Sequence, residues 1–210
     1  MQATDRVSKI KQLIHTKKQH TNTHAQPIFW KPAKLIQRIS PNKHIQQWLN
    51  TEGSLTAQLR SLDSNLEVHI LSEQLERPLA NESQSLNMKP CELAWIRCVL
   101  LKGGGENWIY ARTIIPHFSD SNPWASVQTL GNQPLGEVLF QDKNIQRTPF
   151  TFSSQALTIW PYLNPHLSVN TRAKKGYARR SVFQQQQNAL LLTEVFLPCF
   201  LNKTSRKPHG

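Results

Sequence analysis

The 210 residues include 25 lysines and arginines and 13 aspartates and glutamates, which gives a formal net charge of +12. This length fits one ordinary domain that needs neither a metal ion nor a disulfide for stability. The charge lies at the two ends: residues 1–47 hold nine basic residues and one acid, residues 202–210 hold three basic residues and no acid, and residues 48–201 are nearly neutral. The composition therefore gives little support to a nucleic-acid-binding domain.

Several classes of protein are excluded by signals that the sequence lacks. No apolar run approaches 18 residues and no secretory signal is recognisable, so we expect a cytoplasmic protein without a transmembrane helix. The three cysteines have no C-x-x-C spacing and the eight histidines form no ligand cluster, so no metal site is predicted. Because no glycine-rich phosphate-binding loop is present either, we expect no cofactor.

The chain is expected to have three parts. Residues 1–26 form a basic, polar and flexible extension, residues 27–201 form the folded domain, and residues 202–210 form a basic tail. Four apolar residues of the extension have helical spacing: Val7, Ile10, Leu13 and Ile14. A basic amphipathic helix could contact an anionic membrane surface weakly, and a solvated extension is the alternative.

Two short helices joined by a turn are predicted near the start of the domain. Trp48 and Leu49 lie on one face of the first helix, and Gly53 provides the turn. Ser54 is a plausible N-cap for the second helix, which begins with Leu55.

The rest of the domain is predicted to be mainly β-structure. The β-rich segments are residues 66–70, 92–101, 107–116, 147–154, 177–183 and 189–198. The glycines at 103–105 and the polar run at 184–188 indicate two hairpins. Residues 73–90 are interpreted as a polar connection, and residues 123–130 and 134–140 as short helices that begin with proline. Together these segments predict an α+β domain with an antiparallel sheet and short helices over one face.

Two charged residues lie in segments where a charge is costly. Glu194 lies in a run, residues 190–197, that is apolar on both strand faces, so its carboxylate must be neutral, paired or bound to a ligand. Arg112 shares a strand face with Tyr110 and Ile114, and its planar guanidinium suits a carboxylate. One interpretation is an internal Arg112–Glu194 ion pair. The other is a cavity with these residues at opposite ends, which would hold a small organic acid with a hydroxyl opposite its carboxylate.

A third element of a possible site lies at residues 133–136. After Pro134, the amides of Leu135 and Gly136 could be free donors at a helix start and bind an anion, or the segment is an ordinary helix start. The basic run at 177–181 is interpreted as a solvated strand face.

Four segments of the domain resemble the chorismate pyruvate-lyase family. They are residues 108–116, 130–140, 177–181 and 191–198. They occur in the family's order, and the resemblance covers roughly residues 27–200. It implies a six-stranded antiparallel sheet with helices on one face, which form flaps over an enclosed ligand site.

The resemblance also implies roles for particular residues. Arg112 corresponds to the arginine that holds the ring carboxylate, and Leu135 to the residue whose backbone amide assists it. Glu194 corresponds to the acid at the hydroxyl end, and Leu55 to a flap position where the family often has methionine. The implied reaction eliminates pyruvate from chorismate to give 4-hydroxybenzoate, the first committed step of ubiquinone biosynthesis, without a metal ion or redox cofactor.

A non-catalytic sensor of small aromatic acids is the alternative function. Ligand-sensing domains of certain bacterial helix-turn-helix regulators share a related fold, so architecture does not separate the two functions. Residues 1–47 are too few for a DNA-binding head, so no nucleic-acid partner is expected. The expected partners are chorismate and 4-hydroxybenzoate, and a monomer is expected because the sequence has no sustained heptad or exposed apolar stripe.

Overall fold

A computed structural model describes residues 28–119, 121–140 and 142–205. The strands are β1 (Lys31–Pro32), β2 (Glu67–Glu76), β3 (Ala94–Gly103), β4 (Glu106–Pro116), β5 (Gln146–Arg147), β6 (Thr151–Ala156), β7 (Lys175–Gln185) and β8 (Asn188–Phe196). The α-helices are α1 (Lys43–Asn50), α2 (Leu55–Leu62), α3 (Ala80–Ser85), α4 (Leu135–Leu139), α5 (Val169–Arg172) and α6 (Pro198–Ser205). Short 3-10 helices lie at Ala33–Arg38, Ala125–Thr129, Leu157–Ile159 and Asn164–His166.

The strands form one antiparallel sheet in the order β1-β6-β7-β8-β4-β3-β2, and β5 pairs with β7. The α+β architecture is therefore confirmed, but the prediction of six strands is wrong because the described part of the chain contributes eight. The two additional strands, β1 and β5, have only two residues each. Two residues are too few to show the alternation that marks a strand in sequence.

Both predicted hairpins are present, and β8 of the second hairpin pairs with β4 of the first. Gly104 and Gly105 connect β3 to β4 with φ values of 57° and 74°. Gln186 and Gln187 connect β7 to β8 with φ values of 47° and 67°. Positive φ at both central residues matches the turn to the right-handed twist of the strands. The resulting pairs β7–β8 and β8–β4 put Glu194 in the middle of the sheet.

Each face of the sheet is covered, which corrects the prediction of helices on one face. On the front face, which carries Val99, Ala111 and Leu192, the core includes residues of α1, α2, α4 and α6. On the back face, which carries Cys98 and Tyr110, the core includes residues that follow α3 and residues of the 157–167 segment. Central strands that are apolar on both faces require cover on both faces, which is the reason for the second layer.

The predicted helix pair is confirmed as α1 and α2. The side chain of Ser54 accepts a hydrogen bond from the amide of Ala57 at 3.3 Å and so caps α2. In contrast, the segment 73–90 is not only a connection, because it contains the end of β2 and all of α3.

The ends of the chain are described only in part. Helix α6 continues to Ser205, into the segment that was predicted to be a tail. The extension 1–26, with its possible amphipathic helix, lies outside the described residues. Within the described ranges, no helix is long and apolar enough to cross a membrane.

Candidate active site

Two adjoining cavities lie on the front face of the sheet, beneath α2 and α4. The larger is lined by Arg97, Thr113, Leu135 and Glu194 and by apolar side chains of β2, β3, β4 and β8. The volume accessible to water is about 30 Å³ in the larger cavity and about 10 Å³ in the smaller cavity. By the usual requirement of roughly 10–15 Å³ per water molecule, the larger cavity has room for about two water molecules. The site is therefore nearly closed in this conformation.

Arg97 is the arginine of the larger cavity. Its side chain is 2% exposed and forms an ion pair with Glu73 of β2. It also donates to the carbonyl oxygens of Gly131 at 2.6 Å and Gln133 at 3.4 Å, in the loop before α4. These bonds use three donors of a group that has five, and no bond from its Nε is present among the described residues. Arg97 is thus held rigidly and retains donors for a ligand.

Glu194 lies across the larger cavity from Arg97 and is held by Arg179. The Nε of Arg179, on β7 directly opposite Glu194, donates to Glu194 Oε2 at 2.6 Å. The guanidinium of Arg179 also donates to the carbonyl oxygen of Thr51 at 2.7 Å, at the end of α1. Glu194 Oε1 has no hydrogen-bond partner in the described part of the chain. The largely buried carboxylate, 13% exposed, is therefore paired, which is one of the sequence alternatives, but its partner is Arg179 and one oxygen remains for a ligand.

The smaller cavity continues the larger one past Glu194. Both are lined by Gly136, Leu192 and Glu194. The smaller cavity is also lined by Leu55, Phe140, Arg147, Phe150, Arg179, Ser181 and Phe183. Glu194 thus stands at the junction between two cavities, each of which carries arginine.

Three of the four predicted site residues lie around these cavities. Leu135, 8% exposed, is the first residue of α4 and lines the larger cavity. Leu55, 2% exposed, is the first residue of α2 and lines the smaller cavity. Glu194 lines both. As the first residues of α4, Leu135 and Gly136 have amides with no acceptor inside the helix.

Arg112, the fourth predicted residue, lies on the back face, so its expected place in a cavity with Glu194 is wrong. In the register of β4 and β8, Ala111 is opposite Glu194, and the next residue along a strand points to the other face. Arg112 donates from Nε to Glu82 Oε1 at 2.9 Å and from a terminal nitrogen to Glu76 Oε1 at 3.0 Å. The predicted Arg112–Glu194 ion pair is therefore also absent.

The surroundings of Arg112 are those of a structural ion cluster. Burial lowers the pKa of its guanidinium, but Glu82, Cys98 and Tyr110 together raise it by more, so the pKa lies well above its ordinary value. Burial also raises the pKa of the neighbouring Tyr110 hydroxyl and of the Cys98 thiol, and the latter accepts a hydrogen bond from Arg112 at 3.1 Å. Both groups stay protonated, and the cluster has no contact with the cavities of the front face.

Sequence reasoning missed Arg97 and misread Arg179. Arg97 is the one charged residue in the apolar run 93–101, which is the same signal that drew attention to Arg112. Arg179 belongs to the segment that was interpreted as a solvated strand face, yet its side chain is only 2% exposed. The strand register places the two arginines on opposite faces of the sheet. Arg97 is opposite Thr113, which lines the larger cavity on the front face, whereas Arg112 is opposite Cys98, which lies on the back face.

Comparison with known proteins gives the family of the chain. A family model described as chorismate lyase matches residues 24–206. A protein of Hydrogenovibrio crunogenus named "Probable chorismate pyruvate-lyase" is 42% identical over 168 residues, which cover 80% of this chain and 89% of the relative. A protein of Aromatoleum aromaticum with the same name is 36% identical over 159 residues, or 75% of this chain and 86% of the relative.

Among solved structures, the C-terminal domain of the histidine utilization repressor from Pseudomonas syringae pv. tomato is similar with a TM-score of 0.48 at 7% identity, over 70% of this chain and 97% of that domain. The family model spans most of the chain, and the relative from Hydrogenovibrio is well over 30% identical across a similar span. This chain belongs to the chorismate lyase family.

Proposed function

We propose that this protein is a chorismate pyruvate-lyase, which eliminates pyruvate from chorismate and releases 4-hydroxybenzoate. The observation that carries the proposal is one closed, largely apolar cavity with the guanidinium of Arg97 at one side and the carboxylate of Glu194 at the other. Their strands β3 and β8 both flank β4, so the two backbones are two strand spacings apart, roughly 10 Å. Side chains reaching inward from that separation suit a ring with a carboxylate at one end and a hydroxyl at the other.

The ring carboxylate binds to Arg97 in this proposal. Arg97 lines the larger cavity together with Leu135 and Gly136, the first residues of α4, and the loop before α4 accepts hydrogen bonds from Arg97. Leu135 keeps the role implied by the resemblance, with its amide as a second donor. Arg97 takes the role that the sequence analysis gave to Arg112, because only Arg97 is on the front face. Charge-assisted hydrogen bonds of this kind are among the stronger ones in proteins.

Glu194 binds the C4 hydroxyl of chorismate through its free oxygen. It is the one carboxylate among the described residues that line the two cavities, and it takes the C4 proton in this proposal. The C4–H electrons then form a ring double bond while the C3–O bond breaks, so the ring becomes aromatic and the enolate of pyruvate leaves. The enolate gains a proton at carbon and becomes pyruvate. Aromatisation supplies much of the driving force, and the chain's own groups orient the ring and stabilise the departing oxygen.

Helices α2 and α4 form the flap over this site. Leu55 and Thr56 of α2 and Leu135 and Gly136 of α4 line the cavities, and an ion pair of 2.8 Å joins Arg60 to Glu137 across the two helices. A cavity with room for about two water molecules does not admit chorismate, so α2 and α4 must separate for substrate entry and product release. Slow opening would make product release limit the turnover rate.

The decisive experiment incubates purified protein with chorismate, without added metal or nucleotide, and measures 4-hydroxybenzoate. The wild-type protein should form product, and Arg97→Ala should lose roughly 100-fold in kcat/KM, which is the scale of one lost charge-assisted contact of about 3 kcal/mol. Arg172→Gln, at an exposed arginine of α5, is the matched control and should behave as wild type.

Two results would overturn the proposal. One is folded wild-type protein that binds 4-hydroxybenzoate tightly and never turns over chorismate, which is the behaviour of a sensor. The other is an Arg97→Ala variant that matches wild type in kcat/KM. Arg97→Lys, which keeps the charge opposite Glu73, provides a second variant if Arg97→Ala does not fold.

The cytoplasmic location, the monomeric state and the place in ubiquinone biosynthesis stay predictions. The weak membrane contact of the extension also stays a prediction, and a measurement of the binding of the full chain to anionic vesicles at low salt tests it.

A further inference from the structure

The smaller cavity contains polar groups that lack partners within the protein. Ser181 is 3% exposed, and its hydroxyl has no hydrogen-bond partner in the described part of the chain. The guanidinium of Arg147 forms no ion pair or hydrogen bond with any described residue. It lies 4.4 Å from the ring centroid of Phe150 and 5.9 Å from that of Phe140. A buried hydroxyl without a partner is costly and points to a ligand that completes its bonding.

The lining of the smaller cavity also has an excess of positive charge. Arg147 and Arg179 both line it, and Glu194 is its one carboxylate among the described residues. Glu194 is already bonded to Arg179 at 2.6 Å, and Arg147 has no ion pair of its own among the described residues, although the charges of Glu194 and Glu52 act on it from a longer range. Burial and, next, the charge of Arg179 lower the pKa of Arg147 from its ordinary value, and together they outweigh the opposing charges of Glu194 and Glu52.

Chorismate has two carboxylates, and the proposed ring site uses only one of them. The second belongs to the enolpyruvyl group on C3, next to the C4 hydroxyl that Glu194 binds in the proposed function. Since Glu194 stands at the junction of the two cavities, a group on the carbon beside C4 extends toward the smaller cavity.

We propose that Arg147, Arg179 and Ser181 form a subsite for the enolpyruvyl carboxylate of chorismate. This inference rests on the proposed function and extends it to the second half of the substrate. Arg147 supplies the counter-charge, the Ser181 hydroxyl donates a hydrogen bond, and Arg179 links the subsite to Glu194. The subsite also holds the pyruvate that is formed there, close to the bond that breaks.

The subsite predicts a difference between substrate and product. Chorismate occupies both cavities, but 4-hydroxybenzoate has only the ring carboxylate and occupies the larger one. Loss of Arg147 or Ser181 should therefore weaken the binding of chorismate and leave that of 4-hydroxybenzoate unchanged. A residue with only a structural role would weaken both or neither.

The test measures KM and kcat for chorismate and, by fluorescence titration, the Kd for 4-hydroxybenzoate. Arg147→Gln should lower kcat/KM by roughly 10- to 100-fold, and Ser181→Ala by about 5-fold, the range for charged and neutral hydrogen bonds respectively. The Kd for 4-hydroxybenzoate should stay within about twofold of wild type. Arg147→Lys should fall between wild type and Arg147→Gln, and Arg172→Gln is again the matched control.

The results separate failure of the subsite from failure of the proposed function. Wild-type protein that makes no 4-hydroxybenzoate overturns the proposed function. Active wild-type protein together with an unchanged kcat/KM in Arg147→Gln and Ser181→Ala overturns the subsite alone. An equal loss of affinity for chorismate and for 4-hydroxybenzoate also overturns the subsite. If Arg147→Gln does not fold, Ser181→Ala and Arg147→Lys decide the question.

Discussion

Arg97 and Arg112 show how strand register decides the role of a residue. Both are single arginines in apolar strand segments, and both are buried, at 2% and 1% exposure. Arg97 faces the cavity, whereas Arg112 pairs with Glu82 and Glu76 on the back face. Side chains alternate between faces along a strand, so an offset of one position in the pairing exchanges a ligand contact for a structural ion pair.

Arg112 is therefore predicted to contribute to stability and not to the chemistry. Arg112→Met leaves the carboxylate of Glu82 buried without its partner, so the free energy of unfolding should fall by about 3–5 kcal/mol. Urea unfolding measures this change, and the activity of the folded fraction should be that of wild type. The double variant Arg112→Met/Glu82→Gln should recover part of the loss, because it removes the buried charge. A stable Arg112→Met protein that has lost activity would contradict this prediction.

At the scale of elements, α2 and α4 contact each other over the two cavities. Gly136 packs so closely on α2 that an added Cβ would lie 2.9 Å from Thr56 Oγ1 and 3.3 Å from Ser54 Oγ. An added side chain at position 136 would therefore press against Thr56 and oppose closure of the two helices. The exposed Arg60–Glu137 ion pair adds at most about 1 kcal/mol to this closure.

Gly136→Ala should hold the flap partly open. We expect 4-hydroxybenzoate to dissociate several-fold faster and its Kd to rise, which stopped-flow fluorescence can measure. The faster dissociation would not come from a weakened helix, since alanine stabilises a helix by up to about 1 kcal/mol relative to glycine. Thr56→Ala/Gly136→Ala, which removes the atom nearest the new Cβ, should restore slow release. Dissociation as slow in Gly136→Ala as in wild type would show that the flap closes without this contact.

At the scale of the whole molecule, His166 is a group that makes the stability depend on pH near neutrality. Partial burial, and then the charges of His69 and Lys102, lower the pKa of His166 from its ordinary value of about 6.5. The unfolded chain therefore binds this proton more readily than the folded protein. Stability should fall as the pH drops below about 6.5 and continue to fall until the folded pKa is passed.

His166→Gln removes this contribution and isolates it. We expect the urea midpoint of wild type to fall more between about pH 7.5 and pH 6.0 than that of His166→Gln, a range chosen because carboxyl groups titrate well below it. The difference should be small because His166 is largely exposed. An equal fall in both proteins would show that His166 does not contribute.

The sequence predicted the parts of the molecule that local chemistry determines. The glycine turn before β4, the Ser54 cap of α2 and the short helix that begins at Leu135 all follow from neighbouring residues. The partners of the buried arginines could not be predicted in this way, since pairing between strands is not local. Glu73, Glu76 and Glu82 lie in a segment that was interpreted as a polar connection, and they form the ion pairs of Arg97 and Arg112.

A crystal structure of the protein with 4-hydroxybenzoate bound tests the proposed site most directly. The ring should lie on the front face beneath α2 and α4, with its carboxylate within hydrogen-bonding distance of the Arg97 guanidinium and the Leu135 amide. Its hydroxyl should contact Glu194, and the smaller cavity should hold no part of it. A ring on the back face against Arg112, or a carboxylate directed away from Arg97, would contradict the assignment of the site.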